Sequence, residues 1–292
     1  MSQQLLSYLL YGIMLGGCFG LISIGLSILY GIMGVVNFAH GEFFMLGAYI
    51  TYFSLTLLGL NSVFSLFLTG CLMFIFGIVI DWLLFHPIRK ISFEYLHDSS
   101  IMLTLGLSMI LQNAALLSWG PRYRSAELVS GSINFFGIPV ENSRLFAFIV
   151  SVALGIGFWM FVNKTKVGTA IRAITQNLEG AELMGINTER IFTFVVGISS
   201  ALTGIAGGIL LPIFMAYPTV GLRPIDIGFA VVILGGLGSI GGAIVGGFII
   251  GIISAFTSAL LGPAYETLLS FATIILVLLV RPWGLFGKEW RK

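Results

Sequence analysis

The first eighty residues of the chain carry a single formal charge, on Glu42. Other charge-free runs follow it: Ser99–Pro121, Leu145–Asn163, Ile191–Leu222, Ile227–Tyr265 and Thr267–Val280. Only 9% of all residues are charged and 58% are hydrophobic, whereas about a quarter of the residues in a soluble domain are charged. The runs also lack the alternation of apolar and polar residues that a membrane β-barrel needs. The chain is therefore predicted to be an all-α polytopic integral membrane protein.

The apolar runs divide into roughly nine membrane segments, since roughly 20 apolar residues cross the hydrocarbon core. Gly and Asn interrupt the opening run at Tyr30–Asn37 and Gly59–Ser62, which predicts a broken helix and a turn. The run Ile227–Tyr265 is too long for one crossing and Gly-rich at its centre, so we predict a helical hairpin. The predicted segments are about 5–29, 38–58, 63–85, 99–119, 145–162, 191–215, both arms of the hairpin at 227–265, and 267–280.

Lys and Arg set the orientation, because they concentrate in cytoplasmic loops. Ten of them lie in His86–Asp98, Asn163–Arg190 and Arg281–Lys292, and four in Gly120–Arg144 and Ala216–Asp226. The first set is predicted to lie inside and the second outside. The uncharged N-terminus is not oriented by this rule. No linker interrupts the chain, so residues 1–292 are interpreted as a single transmembrane domain with a cytoplasmic loop at about 163–190.

The first candidate site is the polar break that carries Asn37, Phe38, His40 and Glu42. Asn37 stands where an N-cap would stand for a helix beginning at Phe38. Transporters use such half-helix ends to receive a substrate carboxylate, and Glu42 would pair with an ammonium group or orient His40. The simpler alternative is that Asn37 only caps, His40 only packs, and Glu42 lies at the membrane surface.

The second candidate site is in the inner loop, where Thr169–Leu183 predicts a short helix outside the bilayer. Gly180, Ala181 and Gly185 leave room for another surface, while Glu179 and Glu182 keep the outer face polar. The pattern is that of a docking helix. An amphipathic turn with incidental small residues remains the alternative.

The third candidate is the hairpin, where Gly238, Gly242 and Gly246 recur every four residues. Small residues at this spacing let helix backbones approach closely, so close helix packing is favoured over a gating hinge. Elsewhere, Asp81 and Glu266 lie near segment ends, where a carboxylate reaches water, and neither has an obvious basic neighbour in sequence.

Several function classes lack their motifs. There is no phosphate-binding G-x-x-x-x-G-K-[ST] sequence, nucleophile elbow or H-E-x-x-H, so no catalytic residue is predicted and this chain is not an ATPase. The three His residues, at 40, 86 and 97, do not have metal-ligand spacing. A net charge of +2 without a basic patch argues against nucleic acid.

The stretch from Gly25 to Tyr49, GLSILYGIMGVVNFAHGEFFMLGAY, closely resembles the signature of the permease subunits of bacterial branched-chain amino-acid ABC importers. The resemblance extends to Arg172–Asn177, to Met184–Asn187, to the Gly-rich Gly235–Gly242 and to Arg281–Gly287. The E-A-A-x-x-x-G coupling pattern of many ABC permeases corresponds here to Glu179, Gly180, Ala181 and Gly185, with Gly in place of the middle Ala. The resemblance therefore implies an ABC importer permease fold.

This resemblance implies a non-catalytic subunit in the lipid of the bacterial cytoplasmic (inner) membrane. Its implied partners are a second homologous permease, two ATPase subunits that bind ATP and Mg, and an extracytoplasmic substrate-binding protein received by the outer loop. The chain itself would hold no cofactor. The implied substrates are branched-chain or other hydrophobic amino acids. Urea or short amides, carried by permeases of similar sequence, remain one alternative, and an ion-coupled secondary transporter remains another.

Overall fold

The computed structural model describes residues 2–91, 96–135 and 137–287. Most of the described chain is helical, and its described residues include one small β-hairpin between α5 and α6. The first elements are α1 (Ser2–Met33), α2 (His40–Thr56), α3 (Ser62–Ile80), a π-helical turn (Asp81–Phe85), α4 (His86–Ile91), α5 (Leu96–Trp119), β1 (Ser132–Phe135) and β2 (Ile138–Glu141). The remaining elements are α6 (Asn142–Lys164), α7 (Lys166–Gln176), α8 (Leu178–Leu183), α9 (Thr188–Ile209), α10 (Leu211–Phe214), α11 (Leu222–Gly235), α12 (Ile240–Leu260), a 3-10 turn (Pro263–Tyr265) and α13 (Glu266–Val280).

Within the described residues, seven helices are long and apolar enough to cross a membrane. Two further apolar helices are shorter: α2 has 17 residues and α11 has 14. Together they account for the roughly nine predicted segments, and the predicted all-α membrane fold is confirmed. The helix predicted at 191–215 ends earlier, at Ile209, because Pro212 follows in the next turn and lacks the N–H that a continuing helix needs.

The two ends of the bundle are identified by contacts between distant residues. The Tyr11 hydroxyl of α1 donates to the Pro139 carbonyl in β2 at 3.0 Å, which places the start of α1 beside the loop predicted to lie outside. At the other end, the Leu285 N–H donates to the Leu234 carbonyl at 2.9 Å. The tail after α13 therefore lies beside the turn between α11 and α12, at the end of the bundle predicted to lie inside. Its last five residues lie outside the described residues.

The helices form two halves of similar order and opposite direction. With the loop at 120–144 on the outside, as predicted, α1 of the first half runs inward, α2 turns back outward, and α3 and α5 follow as a pair. In the second half, α9 runs outward, α11 turns back inward, and α12 and α13 follow as a pair. The long helix of each half packs on the third helix of the other, α1 on α12 and α9 on α3. This arrangement is an inverted repeat of the kind common in transporters.

Glycines set the helix spacing on α12. A Cβ on Gly242 would lie 2.1 Å from the Gly235 carbonyl oxygen of α11, and one on Gly251 would lie 2.3 Å from the Gly16 Cα of α1. Gly246 also faces α11, with the Val231 carbonyl oxygen 2.8 Å from its added Cβ. These distances leave no room for a larger residue, so both neighbouring helices approach α12 backbone to backbone.

The predicted hairpin turn is present, because α11 ends at Gly235 and α12 begins at Ile240. Gly238 lies in this turn rather than in a helix, with φ at +82°. Its backbone touches Gly31 of α1, where an added Cβ would lie 3.0 Å from the Gly31 Cα. The glycine is therefore required both by the backbone conformation and by the contact.

Candidate functional site

The polar break between α1 and α2 is a short irregular turn. The helix after it begins at His40, two residues later than predicted, and its N-cap is Ala39, which has no capping side chain. Asn37 instead folds the turn before the helix: its Oδ1 accepts from the Ala39 N–H at 3.0 Å. The Phe38 N–H donates to the Thr104 hydroxyl of α5 at 3.1 Å. The break is thereby attached to a neighbouring helix.

His40 lies fully buried among α1, α2 and α9. Its Nε2 is 2.6 Å from the Thr203 hydroxyl oxygen of α9. That hydroxyl has one proton, which it donates to the Ser199 carbonyl at 2.9 Å, so the imidazole is the donor in this contact. The other ring nitrogen, Nδ1, has no hydrogen-bond partner in the described part of the chain.

Glu42 is also buried, with only 2% of its surface exposed. The alternative that it lies at the membrane surface is therefore wrong for this structure. Its Oε1 accepts a hydrogen bond from Gln112 Nε2 of α5 at 2.6 Å, so its partner is Gln112 rather than His40. Its Oε2 has no partner among the residues described, and neither has Asn37 Nδ2.

Phe38 differs from the other three candidates because it is only half-buried. Its ring centroid lies 5.3 Å from that of Phe229 on α11. The two rings belong to the wall of a mostly apolar cleft of about 330 Å³, to which Leu26, Tyr30 and Val36 also contribute. The structure therefore buries Asn37, His40 and Glu42 separately, with His40 against α9 and Glu42 against α5, and places Phe38 beside an open cleft.

The two short helices begin at the same point, inside the bundle. An added Cβ on Gly41 of α2 would lie 2.4 Å from the Gly221 carbonyl oxygen, and one on Gly221, just before α11, would lie 2.1 Å from the Gly41 carbonyl oxygen. Glycine at both positions allows this crossing. Two helix N-termini, each with a positive dipole end, thus meet next to the buried carboxylate of Glu42.

The inner loop forms two helices, α7 and α8, where one was predicted. Asn177 separates them, and its Oδ1 caps α8 by accepting from the Gly180 N–H at 2.8 Å. At the other end, the Gly185 N–H donates to the Glu182 carbonyl and the Ile186 N–H to the Ala181 carbonyl. With φ at +80° on Gly185, this is a Schellman C-cap, so the backbone itself requires the glycine.

The three small residues at α8 differ in exposure, since Gly180 is half-buried and Gly185 is exposed. Ala181 is buried against its own chain, whereas Glu179 and Glu182 are exposed. Sequence reasoning missed Leu183 and Met184, which are 88% and 83% exposed. Two adjacent, almost fully exposed apolar side chains in a loop predicted to lie outside the bilayer indicate a contact surface. The sequence signal that could have identified these two residues is their position on either side of the helix C-terminus.

A chain of polar contacts leads from α8 into the membrane helices. The Thr188 hydroxyl at the start of α9 donates to Glu182 Oε1 at 2.8 Å. The next residue, Glu189, accepts from Arg89 Nη2 at 3.1 Å, and Arg89 also binds Asp81, at the end of α3. The expectation that Asp81 reaches water is wrong, because its exposure is 0%. The π-helical turn between Asp81 and Arg89 brings these side chains together, and this turn cannot be predicted from spacing.

Among the described residues, no group of three or more His, Cys, Asp or Glu side chains is arranged to hold a metal ion. The side chain of His97 lies outside what is described.

Comparison with known proteins identifies the kind of chain to which this geometry belongs. The family model for the permease component of branched-chain amino-acid transport systems matches residues 8–278. The chain belongs to this family. It is accordingly a transport permease and a multi-pass protein of the inner membrane, as predicted, and membership favours the importer permease over an ion-coupled secondary transporter. As a permease of an ABC importer, it works with ATPase subunits and an extracytoplasmic binding protein.

Curated relatives match over nearly their whole length. The high-affinity branched-chain amino acid transport system permease protein LivH of Escherichia coli K12 is 33% identical, over 99% of this chain and 98% of the relative. BraD of Pseudomonas aeruginosa, with the same description, is 31% identical, over 97% of this chain and 96% of the relative. A probable LivH of Methanocaldococcus jannaschii is 32% identical, over 93% and 89%. No solved structure gives a significant match.

Proposed function

We propose that this chain forms the translocation pathway for branched-chain amino acids in an ATP-driven importer. The observation that carries the proposal is the end-to-end similarity to permeases that are themselves named for branched-chain amino acids. These names favour branched-chain amino acids over urea or short amides. The apolar cleft beside Phe38 agrees with such a substrate, because its wall suits an aliphatic side chain.

The proposed assembly contains a second, homologous permease, two ATPase subunits that bind ATP and Mg, and one extracytoplasmic binding protein. The outer loop at 120–144 is the proposed receptor for the binding protein. On the inner side, α8 is the proposed coupling helix. The exposed side chains of Leu183 and Met184 support this role, since an ATPase surface would remove them from water.

The polar chain described above supplies a route for coupling. When the ATPase pair moves α8, the contact from Glu182 to Thr188 moves the start of α9 with it. Glu189 and Arg89 then connect α9 to Asp81 at the inner end of α3. Because α3 and α9 pack along much of their length, both helices would move together. A nucleotide at the ATPases shifts the permease only through contacts that differ between its states, and these contacts are suited to that role.

Asn37, His40 and Glu42 are proposed to act during alternation between the outward and inward states. Each holds one buried polar atom without a partner among the described residues: Nδ2, Nδ1 and Oε2, respectively. An unpaired buried polar group costs about 1–3 kcal/mol. A state in which these atoms meet substrate or water would recover that energy. The positive N-termini of α2 and α11 would favour a carboxylate at the same point.

The substrate is tested by competition. The permease is purified in mild detergent with its copurifying subunits and reconstituted with the binding protein and internal ATP. Uptake of labelled leucine is then measured with excess isoleucine, valine, urea or acetamide. We expect isoleucine and valine to abolish the signal and the two amides to leave it unchanged. Inhibition by urea alone would transfer the substrate assignment to the amide class.

A further inference from the structure

A second cavity opens on the outer side of the bundle, on the side opposite to the coupling loop. It has a volume of about 340 Å³ and lies between α1, α6, α12 and the beginnings of α11 and α13. Along α1 it extends from Tyr8 to Cys18, which is about 15 Å at the helical rise of 1.5 Å per residue. The cavity therefore reaches well into the membrane-crossing part of the protein.

This outer cavity is lined by a pair of opposite charges. Arg223 of α11 donates from Nη2 to Glu266 Oε2 at the start of α13. The Arg223 side chain is 46% exposed and that of Glu266 is 6% exposed, so the carboxylate forms the floor and the guanidinium projects into the space. The guanidinium carbon also lies 5.5 Å from the ring centroid of Phe214. Charged side chains inside membrane proteins are kept where they face water-filled cavities and substrate paths.

The wall also contains a hydroxyl without a partner. Ser254 of α12 is 1% exposed, and its Oγ has no hydrogen bond in the described part of the chain. Buried polar groups in native proteins are nearly always paired with protein, ligand or water, so this hydroxyl is free to bond to a molecule in the cavity. The wall also includes a second arginine, Arg144, which pairs with Glu141 outside the lining. Its apolar part includes Met14, Leu15 and Ala147.

We propose that the outer cavity binds the zwitterion of an α-amino acid before it enters the pathway; the inference rests on the proposed function. Arg223 uses one of its five N–H groups on Glu266 and keeps others for the substrate carboxylate. Glu266 Oε1 receives the ammonium group, and Ser254 Oγ accepts or donates a further hydrogen bond. The aliphatic side chain packs against Met14, Leu15 and Phe214. Neither urea nor a short amide carries the two opposite charges that this cavity matches.

Protection of a cysteine in the wall tests this assignment. Ser258 is half-buried and lines the outer cavity, so Ser258→Cys is introduced after Cys18 and Cys71 have been replaced by Ala. The reconstituted complex is labelled from outside with a membrane-impermeant thiosulfonate. Leucine is expected to slow labelling several-fold. Leucinol, which lacks the carboxylate, and 4-methylpentanoate, which lacks the ammonium group, are expected to leave the rate unchanged. Leu58→Cys, in the exposed turn between α2 and α3, is the control, and leucine is expected to leave its labelling rate unchanged.

Glu266→Gln provides a second, conservative variant, since its amide oxygen still accepts from Arg223. It is expected to leave labelling without leucine unchanged and to raise the leucine concentration for half-maximal protection about tenfold or more, because a charge-assisted hydrogen bond is lost. Labelling that leucine does not slow, or equal protection by leucinol, overturns the proposal. Leucine uptake is measured on the same vesicles. Protection without ATP-dependent uptake would support binding in the outer cavity and contradict the proposed function. Uptake without protection would support the proposed function and contradict binding in the outer cavity.

Discussion

The guanidinium of Arg89 and the carboxylate of Asp81 form a two-point ion pair inside the protein. Nη1 lies 2.7 Å from Oδ1 and Nη2 lies 3.0 Å from Oδ2, and each side chain is only 1% exposed. Thr193 of α9 donates a further hydrogen bond to Asp81 Oδ2 at 2.6 Å. With Glu189 also bound to Arg89, the inner ends of α3 and α9 are connected by one network. The same network is connected to α8, the proposed coupling helix, through the hydrogen bond from Thr188 to Glu182.

Removing Arg89 should therefore be severe. Arg89→Met leaves the Asp81 carboxylate buried without its cation, and breaking a buried pair in this way costs about 3–5 kcal/mol. We expect a large loss of thermal stability in detergent and a low yield of assembled complex. Glu189→Gln should cost under about 1 kcal/mol, because the Glu189 side chain is 45% exposed. The double variant Arg89→Met with Asp81→Leu should regain most of the stability. Equal melting temperatures for Arg89→Met and the wild type would contradict the assignment.

Two adjacent glycines of α12 test the packing of the hairpin. An added Cβ at Gly242 would lie 2.1 Å from the Gly235 carbonyl oxygen, whereas one at Gly241 would meet nothing within 4 Å. Gly242→Ala should destabilise by about 1–3 kcal/mol through overpacking, and Gly241→Ala should be neutral. Thermal unfolding of both variants in the same detergent measures the difference. Equal melting temperatures would show that α11 and α12 are not held at this distance.

The docking surface of α8 is tested best at Met184. Met184→Arg places a charge on an 83% exposed side chain and leaves the backbone of the C-cap unchanged. We expect about tenfold weaker retention of the ATPase subunits on purification, because a central apolar contact is worth more than about 1 kcal/mol. Gly185→Arg is a poorer probe, since φ at +80° strains most side chains, arginine included. Gly185→Asn, which tolerates this conformation, is the control and should retain the ATPases.

Glu42 is expected to matter for transport more than for assembly. Glu42→Gln keeps an oxygen that accepts from Gln112 and removes the buried charge beside the two helix N-termini. Uptake should fall about tenfold, the equivalent of one charge-assisted hydrogen bond, while the yield of the complex stays normal. Asp98→Asn, an exposed carboxylate in the first turn of α5, is the matched control. Unchanged uptake by the Glu42 variant would remove this residue from the pathway.

Much of the fold could be predicted because charge and glycine mark the boundaries of membrane helices. The single charge before Asp81 and the Gly-rich centre of the hairpin were sufficient for the spans, the break and the turn. The start of α2 was misplaced by two residues because Asn37 bonds to the Ala39 N–H inside the turn instead of capping the helix. The direction of α1 could not be predicted, since its first residues have no charge and only the contact with Pro139 shows it.

The candidate site was less predictable because its contacts join residues far apart in sequence. Gln112 is 70 positions from Glu42, and nothing in its local sequence identifies the partner. Arg89 binds Asp81 only because a π-helical turn intervenes. Gly185 was interpreted as space for a docking surface, and its positive φ is a second, backbone reason for glycine that the sequence does not reveal. A polar residue within an apolar run, as at Gln112, is the one local signal that was present.

The central claim is that this permease moves an amino acid with energy from ATP. An experiment that identifies the energy source of uptake tests this claim directly. Leucine uptake is measured in proteoliposomes that hold the permease, its copurified ATPases and the binding protein, either with internal Mg-ATP or with imposed proton and sodium gradients and no nucleotide. The predicted result is that leucine accumulates with ATP and no imposed gradient, and that it does not accumulate when a non-hydrolysable analogue replaces ATP. Accumulation driven by either gradient without ATP would contradict the account and would make Glu42 a candidate ion site.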